Sequence, residues 1–444
     1  MGRGSYPMGK YICVDQEERF RILRVIAGST NYVTMEAFDE KKNRECFLKV
    51  HEITDKKDED YRENNLLREG SFRFSYPFIE EIYGSFKGCS PMGDPLVGVC
   101  GEYVRGQDLE EYRESLEKKI QKVDISEEDA ERIILRQIYE FLHGMEYYLR
   151  YANPPYLHRD LKPANIMILP SEDVKIVDFD YAHISGSTDT IYVGGHGVGF
   201  SRGYASPRVL RYERGQPDTF PGEQEEIYAA GRILFFWLNG KPYFENAEMG
   251  EKENGERYKT LESKDQTLYW NNPNLAYSHK AERFHRKYRE KRYEKLMEIL
   301  RKMCSDPSSE DAYRNISDVK TDMKNFLLEY CGNSCKTFER YFDLPFLLDG
   351  NEDANIEDAP MVAYGIFGAD AFLSAKVLAK NSMRDILMDK RKVMTVYNRD
   401  HKIWYLPALG MQVERENIQG EDTREIRNGD IFIVNGKKIR FTIG

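Results

Sequence analysis

The stretch Tyr156-Leu-His-Arg-Asp-Leu-Lys-Pro-Ala-Asn-Ile-Met167 decides the fold and the chemistry expected of this chain. It brings Asp160, Lys162 and Asn165 together in one short loop. A carboxylate can orient an acceptor hydroxyl and take its proton, an ammonium can lie against a migrating phosphoryl group, and an amide oxygen can ligate Mg²⁺. These residue types at this spacing predict phosphoryl transfer, with Asp160, Lys162 and Asn165 as the catalytic residues.

The pattern of hydrophobic residues on either side of this loop predicts an α+β chain. Alternation between Phe20 and Val50 predicts three strands. Apolar residues from Ser126 to Arg150 recur at helical spacing, which predicts a long buried helix with Ser126 as its N-cap. Two short strands, 165–169 and 174–177, then form a hairpin with Asn165 at one end and Asp178 at the other.

The loop His158-Arg-Asp-x-Lys-x-x-Asn165 resembles the catalytic loop of protein kinases, in the version typical of serine/threonine kinases. Asp178-Phe-Asp180 follows at the separation usual for the Asp-Phe-Gly motif of that family. The resemblance implies a two-lobed kinase domain over residues 18–332, after a leader over residues 1–17. Its β-rich N-lobe would span about 18–103 and its helical C-lobe about 104–332.

The resemblance also implies ATP and Mg²⁺ as cofactors and assigns residues to them. Asn165 and Asp178 would hold Mg²⁺, and Lys49 on the third strand would neutralise the ATP phosphates. Lys49 needs a carboxylate from the following helix. Glu69 and Glu63 are the two candidates, and we favour Glu69.

Two further segments would contact the nucleotide. Gly28 and Val33 belong to the stretch that resembles the glycine-rich loop over the phosphates. Glu102 and Val104 belong to the stretch that resembles the hinge between the lobes, where backbone groups would bind adenine. Gly101 would then be the gatekeeper residue and would leave an open pocket behind the adenine.

The chain departs from the family pattern at several positions. The glycine-rich loop keeps Gly28 where three glycines are usual, and Asp180 replaces the Gly of Asp-Phe-Gly. Arg208 replaces the Glu that normally pairs with a late arginine, here Arg314, so that ion pair cannot form. Glu226 replaces an Asp, and Ser201 stands where the substrate-positioning Thr belongs.

Composition limits the partners and the location that we expect. Acidic residues outnumber basic ones, 75 to 65, which favours neither nucleic acid nor an anionic membrane. Seven scattered cysteines fit a reducing compartment, and the N-terminus has no apolar signal core. We therefore expect a soluble cytoplasmic protein with protein substrates. Hydroxyls at Ser187, Thr188 and Thr190 would be available for activating phosphorylation.

The C-terminal part reads as a separate small all-β domain over residues 361–444. A linker, residues 333–360, precedes it and is acidic from residue 349. Asn428-Gly-Asp430 and the hairpin 431–441 resemble the end of a forkhead-associated β-sandwich. The Gly-Arg and Ser-x-x-His positions by which that family grips phosphothreonine are not found. The resemblance therefore implies a protein partner and leaves its chemistry open.

Three functions are compatible with these motifs. The first is an ATP- and Mg²⁺-dependent serine/threonine protein kinase regulated through its activation segment. The second is a pseudokinase that acts as a nucleotide-gated binding module, which the single glycine of the loop suggests. The third is a small-molecule kinase, which Lys162 and the Ser206-Pro207 segment disfavour because they belong with protein substrates.

Overall fold

The computed structural model describes much of the chain up to residue 342 and a series of strands from residue 361 onward. The described residues are 6–28, 32–53, 56–72, 74, 76, 78–152, 154–170, 172–185, 201, 204–206, 208–209, 222–240, 288, 290–342, 361–367, 373–377, 383–388, 391–399, 402–407, 413–416, 425–427, 430–434 and 437–443. The phosphorylation candidates Ser187, Thr188 and Thr190 and the acidic stretch 349–360 lie outside the described residues.

Six antiparallel strands close into a barrel at the N-terminal end of the described chain. In chain order they are β1 Tyr11–Val14, β2 Glu17–Gly28, β3 Val33–Asp39, β4 Arg44–Glu52, β5 Ile82–Cys89 and β6 Pro95–Gly101. Around the barrel they follow the order β1-β2-β3-β4-β6-β5. Phe20, Met35 and Leu48 lie in its buried core. The three strands predicted between Phe20 and Val50 are confirmed.

The barrel begins before residue 18, inside the segment that the sequence assigned to a leader. β1 pairs with β2 and also meets β5, where Cys13 lies opposite Cys89. Ile12 and Tyr6 are buried in the barrel core. The alternation in β1 covers only four residues, which is too short a run to separate from a loop by pattern alone.

A helix packs on the barrel face made by β5 and β6. This helix, α1 Lys56–Glu69, contacts both strands. Leu66 lies in a small hydrophobic cluster with Val97 and Val99 of β6. Burial of this apolar contact fixes the last turn of α1, which carries Arg68 and Glu69.

A close backbone approach connects the barrel to the helical part of the chain. Gly106 follows β6, and a Cβ added there would lie 2.4 Å from the carbonyl oxygen of Ile168. The short strand β7 Gln107–Asp108 comes next. Asp108 then caps α2 Leu109–Gln121 by accepting a hydrogen bond from Glu111 N.

We expect Gly106→Ala to destabilise the protein by about 1–3 kcal/mol, because the added methyl meets backbone atoms that cannot rotate away. Thermal or urea unfolding measures the effect. Gly28→Ala is the matched control, since a Cβ there meets no atom of the described residues within 4 Å. Equal stability of the two variants would contradict the prediction.

Buried helices form a second and larger core. They are α3 Glu127–Glu146, α4 Glu223–Asn239, α5 Glu294–Met303, α6 Ile316–Tyr330 and α7 Cys335–Phe342. α3 is the predicted long helix, and Ser126 caps it by accepting a hydrogen bond from Asp129 N. Trp237 of α4 is fully buried and donates to Gln137 Oε1 of α3 at 3.1 Å. Among the helices of the described ranges, none combines the length and apolarity that crossing a membrane requires.

Four short strands lie between α3 and α4. They are β8 Tyr156–Leu157, β9 Ile166–Ile168, β10 Val174–Ile176 and β11 His183–Ile184. β9 and β10 form the predicted hairpin, β7 pairs with β9, and β11 pairs with β8. Ile176 also exchanges backbone hydrogen bonds with Phe78 and Glu80, which ties the hairpin to the chain leading into β5.

Apart from Arg427 and Asp430, the described residues from 361 onward lie in strands. In chain order they are β12 Met361–Phe367, β13 Leu373–Val377, β14 Met383–Met388, β15 Arg391–Arg399, β16 Lys402–Pro407, β17 Val413–Glu416, β18 Glu425–Ile426, β19 Ile431–Val434 and β20 Lys437–Ile443. They form two antiparallel sheets, β13-β12-β20-β19-β17 and β14-β15-β16-β18. One hydrophobic cluster draws on both sheets, with Tyr405 against Phe432 at 4.6 Å. The predicted all-β domain is confirmed, while its forkhead-associated character stays a prediction.

Candidate active site

The loop from His158 to Asn165 lies between β8 and β9, and Glu226 of α4 holds it in place. Glu226 Oε1 accepts a hydrogen bond from Arg159 N at 2.8 Å, and its Oε2 accepts one from Tyr148 OH at 2.9 Å. Arg159 has a positive φ of 67°, a conformation that needs such support in a residue with a side chain. Glu226 therefore stabilises the turn that precedes Asp160.

Hydrogen-bond donors surround the carboxylate of Asp160, which is itself buried. Ser201 Oγ donates to Oδ1 at 2.6 Å, and Lys162 Nζ donates to Oδ2 at 2.5 Å. Asn165 Nδ2 donates to the Asp160 carbonyl oxygen at 2.9 Å. The three residues predicted to be catalytic thus lie together, and Ser201 joins them.

Lys49 of β4 lies among three carboxylates. Its Nζ is 2.9 Å from Asp178 Oδ1 and 3.5 Å from Glu69 Oε1, and it also forms an ion pair with Asp180. Glu63, the other candidate partner from α1, pairs instead with Lys87 of β5. The structure therefore places Glu69, and not Glu63, beside Lys49.

This grouping of charges changes the ionisation of its members. Burial alone would lower the pKa of Lys49, but Asp178, Asp180 and Glu69 together raise it well above its usual value. Burial acts against ionisation of Asp178, and the Lys49 ammonium outweighs it, so the pKa of Asp178 falls below its usual value. Lys49 stays cationic and Asp178 anionic at neutral pH.

The donor atoms near Asp160 and Asp178 fit a magnesium ion. Asn165 uses its amide nitrogen for Asp160, which leaves its Oδ1 as the atom suited to a metal. The Asp178 side chain is 38% exposed, whereas that of Lys49 is 6% exposed, so Asp178 can accept a ligand without losing its contact with Lys49. Mg²⁺ prefers carboxylate and amide oxygens of this kind.

Comparison with known proteins agrees with this geometry. The protein kinase domain model matches residues 27–327, which is more than half of the chain. The chain belongs to the protein kinase family. The two-lobed fold predicted from its motifs is therefore confirmed, with the barrel and α1 as the N-lobe and the helices from α2 onward as the C-lobe.

Similar regions occur in curated kinases from several kinds of organism. Identity is 39% over 108 residues with mitogen-activated protein kinase mpkC of Aspergillus clavatus, covering 24% of each chain. It is 31% over 174 residues with a probable serine/threonine-protein kinase PknB of Bifidobacterium longum, covering 38% of this chain and 22% of that one. It is 28% over 246 residues with human serine/threonine-protein kinase tousled-like 1, covering 52% and 29%. The chain spans about a quarter of the length of these curated relatives.

The segment predicted to be the kinase hinge begins with Glu102, which directly follows β6. Its carboxylate turns towards Lys175 Nζ at 2.5 Å, and its backbone N donates to Glu81 O at 2.7 Å. Binding of adenine by the backbone of Glu102 and Val104 stays a prediction. A Cβ added at Gly101, the predicted gatekeeper, would lie 3.2 Å from Glu81 O and 3.4 Å from Ile82 Cδ1, so a larger side chain there would require these neighbours to shift, and the open pocket behind the adenine stays a prediction.

Val33 does not line the nucleotide site, contrary to the prediction. Val33 is 1% exposed and packs in the barrel core. The next residue, Thr34 of β3, lies opposite Lys49 of β4. Neighbouring residues of a strand point to opposite faces, so Val33 lies on the side away from Lys49. Gly28 pairs with Val33 at the end of β2, and residues 29–31 of the loop lie outside the described residues.

Tyr32 lies on the Lys49 side of the sheet instead. Its ring centroid is 5.5 Å from Lys49 Nζ and 6.1 Å from the ring of His51. It also packs against the small hydrophobic cluster that contains Leu66 of α1. The sequence analysis did not assign Tyr32 to the site, because the face of a strand residue depends on a register that only the folded sheet defines.

The end of the activation segment has a different ion pair from the usual one. Arg208 pairs with Glu225 of α4, with Nη2 and Oε2 2.9 Å apart. Arg314 donates to the carbonyl oxygens of Pro307 and Ser309 at 3.2 and 3.0 Å. Glu225 of α4 is therefore the acidic partner of Arg208, while backbone carbonyl groups hold Arg314.

Glu80, which the sequence patterns did not single out, is a buried carboxylate next to Asp178. Its Oε1 accepts a hydrogen bond from Asp178 N at 2.5 Å, and this contact supports a backbone with a φ of 66° at Asp178. Burial, followed by the charge of Asp178, raises the pKa of Glu80 to about 8. Glu80 and Glu81 precede β5 and belong to no strand, so no alternation of inward and outward residues indicated that Glu80 is buried.

We expect Glu80→Gln to stabilise the protein increasingly as the pH rises from about 5 to 8. A carboxyl with a raised pKa in the folded state costs stability between its ordinary value and about 8, because the unfolded chain ionises first. Gln keeps the acceptor for Asp178 N without the charge. Urea unfolding across this range should show a gain of at least about 1 kcal/mol at pH 8.

Glu81→Gln is the matched control for this measurement, because Glu81 is the exposed neighbour in the same segment. It should leave the pH profile of stability as in the wild type. Parallel profiles for Glu80→Gln and the wild type would contradict the raised pKa of Glu80.

Proposed function

We propose that this protein is a serine/threonine protein kinase that transfers the γ-phosphate of ATP to protein hydroxyls in the presence of Mg²⁺. The observation that carries the proposal is the arrangement around Asp160, whose carboxylate contacts both Lys162 and Ser201. A carboxylate held in this way is fixed for an incoming hydroxyl. The serine/threonine relatives support the same assignment.

Each residue of the site has a role in this proposal. Asp160 orients the acceptor hydroxyl and takes its proton, and Lys162 stabilises the charge of the migrating group. Asn165 and Asp178 hold Mg²⁺, which when bound neutralises charge on the phosphate oxygens. Lys49, kept in place by its carboxylate partners, positions the α- and β-phosphates.

A second candidate is a nucleotide-gated scaffold without transfer activity. The observation that favours it is the crowding of Lys49 by three carboxylates, which compete with phosphates for one ammonium. We place the kinase first, because the residues that handle the proton and the metal are all present and lie together.

The proposal extends to regulation, partners and location. Phosphorylation between residues 183 and 201 would activate the enzyme, and mass spectrometry of active protein that finds no phosphate there would contradict this. The C-terminal β domain would bind a protein partner, which a pull-down with residues 361–444 deleted would test. A cytoplasmic location rests on composition, and nuclear or membrane-bound fluorescence of a tagged protein would contradict it.

The decisive test is phosphate transfer to protein. Purified protein would be incubated with labelled ATP, Mg²⁺ and a generic basic protein, beside Asp160→Asn. We expect labelling of serine and threonine by the wild type and not by the variant. Equal labelling by both proteins, or by neither, would count against the kinase. ATP binding without transfer would favour the scaffold.

A further inference from the structure

Asp180 is the position at which this chain differs most directly from its family within the active site. Its carboxylate forms an ion pair with Lys49 of β4. Glu69, which the resemblance to protein kinases makes the expected partner of Lys49, lies 3.5 Å from Lys49 Nζ. That distance exceeds the usual range for a nitrogen-to-oxygen hydrogen bond, about 2.7–3.2 Å. Glu69 is therefore a weak partner for Lys49 in this structure.

The backbone of Asp180 is fixed independently of its carboxylate. Arg68 Nη2 of α1 donates to Asp180 O at 2.8 Å. The preceding residue, Phe179, is fully buried, with ring centroids 4.5 Å from His158 and 4.6 Å from Phe74. The carboxylate thus projects from a backbone that two separate contacts hold in place. Asp180 therefore loses little conformational entropy when its carboxylate binds Lys49.

Asp178 also contacts Lys49, but it has a second role in the proposed function. Its carboxylate is the metal ligand, and its side chain is the more exposed of the pair. The carboxylates left to hold the ammonium are then Asp180 and Glu69. Of these two, Asp180 makes the direct contact, from a backbone that Arg68 holds in place.

We propose that Asp180 is the principal positioning residue for Lys49, with Glu69 in a secondary role. The inference rests on the proposed function in so far as Lys49 contacts nucleotide phosphates. The glycine usual at this position has no side chain that could contact Lys49, so this role depends on the Asp that this chain has instead. The rival explanation is that Asp180 only competes with phosphates for the ammonium. The two differ in the sign of the effect on ATP affinity.

The first test measures binding of a fluorescent ATP analogue with Mg²⁺ at equilibrium. We expect Asp180→Asn to raise the Kd about tenfold and Glu69→Gln about threefold, since each variant keeps an oxygen acceptor but loses the negative charge that strengthens its hydrogen bond with Lys49. Asp180→Glu, which keeps the charge, should lie closer to the wild type than Asp180→Asn. The KM for ATP should follow the Kd, while kcat changes less.

Two outcomes of this test would overturn the proposal. Tighter binding by Asp180→Asn would mean that Asp180 competes with the phosphates. A greater loss in Glu69→Gln than in Asp180→Asn would make Glu69 the principal partner. A general structural defect would lower kcat and thermal stability together, and Asp180→Glu would then fail to recover the KM.

The second test needs neither nucleotide nor transfer, so its result is independent of whether the proposed function is correct. Double-mutant cycles combine Lys49→Met with Asp180→Asn and with Glu69→Gln, measured by urea unfolding of the full chain. We expect a larger shift of the unfolding midpoint to be assigned to the Lys49–Asp180 pair than to the Lys49–Glu69 pair. Equal coupling, or stronger coupling to Glu69, would overturn the proposal.

Discussion

Replacing Asp160 by Asn is expected to lower kcat for protein phosphorylation by about 10²–10⁴-fold, the range that general-base groups contribute. Asn preserves the shape of the side chain and an oxygen that can accept from Ser201, whose Oγ lies 2.6 Å from Oδ1 in the wild type. It lacks the basicity needed to take a proton from the acceptor hydroxyl. The loss should therefore fall on kcat.

ATP affinity separates this effect from a disturbed site. The Lys49 cluster does not use the Asp160 carboxylate, so the Kd for ATP should change by less than about threefold. Asp124→Asn, at an exposed position after α2, is the control for the substitution itself and should transfer phosphate as the wild type does. An Asp160→Asn enzyme that keeps a tenth of the wild-type kcat would contradict the assigned role.

The parts of this site that could be predicted from sequence are the ones built by local geometry. Asp160, Lys162 and Asn165 belong to one loop, and the β9–β10 hairpin carries the chain back to Asp178. Turn residues and short alternating runs determine such an arrangement, so the sequence is enough to bring these side chains together. The long helix α3 and its cap at Ser126 were predictable for the same reason.

The parts that could not be predicted depend on contacts between distant segments. Val33 was assigned to the wrong face, because a shift of one residue in register exchanges the two sides of a strand. Glu80 supports Asp178 only because residues near 79 pair with β10. Arg208 was predicted not to pair with Arg314, and nothing in the sequence indicated that it pairs with Glu225 of α4. No pattern within a short stretch of sequence predicts these contacts.

Asp180 shows how a departure from a family pattern is interpreted once the structure is known. In the sequence it appeared as a lost glycine and an extra charge near the metals. In the fold it contacts Lys49, and its backbone is held by Arg68. Asp180 thus lacks the backbone flexibility of a glycine, and its carboxylate helps to hold the Lys49 ammonium in place.

Replacing Lys49 by Met is expected to have the largest effect on stability and nucleotide binding together. The variant leaves Asp178, Asp180 and Glu69 beside one another without the ammonium that now pairs with each of them. Removing one partner of a buried charge pair costs about 3–5 kcal/mol, and we expect about 2–4 here because Asp178 and Asp180 are partly exposed.

The cost in Lys49→Met should depend on pH in a defined direction. Without the ammonium, burial is no longer offset at Asp178, and the pKa of Glu69, which burial already raises, should rise further, so that both folded-state pKa values lie above those of the unfolded chain. Such groups cost no stability while protonated in both states, and they cost progressively more as the pH rises through the shifted range. The destabilisation relative to the wild type should therefore be greater at pH 8 than at pH 6, as measured by urea unfolding.

Lys87→Met is the matched control for this prediction, because Lys87 lies on β5 of the same barrel and pairs with Glu63 of the same helix α1. Its side chain is 62% exposed, and exposed ion pairs contribute about 0–1 kcal/mol, so this variant should remain close to the wild type at both pH values. Binding of an ATP analogue should fall by at least about tenfold in Lys49→Met, since a charged hydrogen-bond donor to the phosphates is lost. If both lysine variants lost the same stability, or if Lys49→Met lost none at pH 8, the ammonium would not be what holds these carboxylates together.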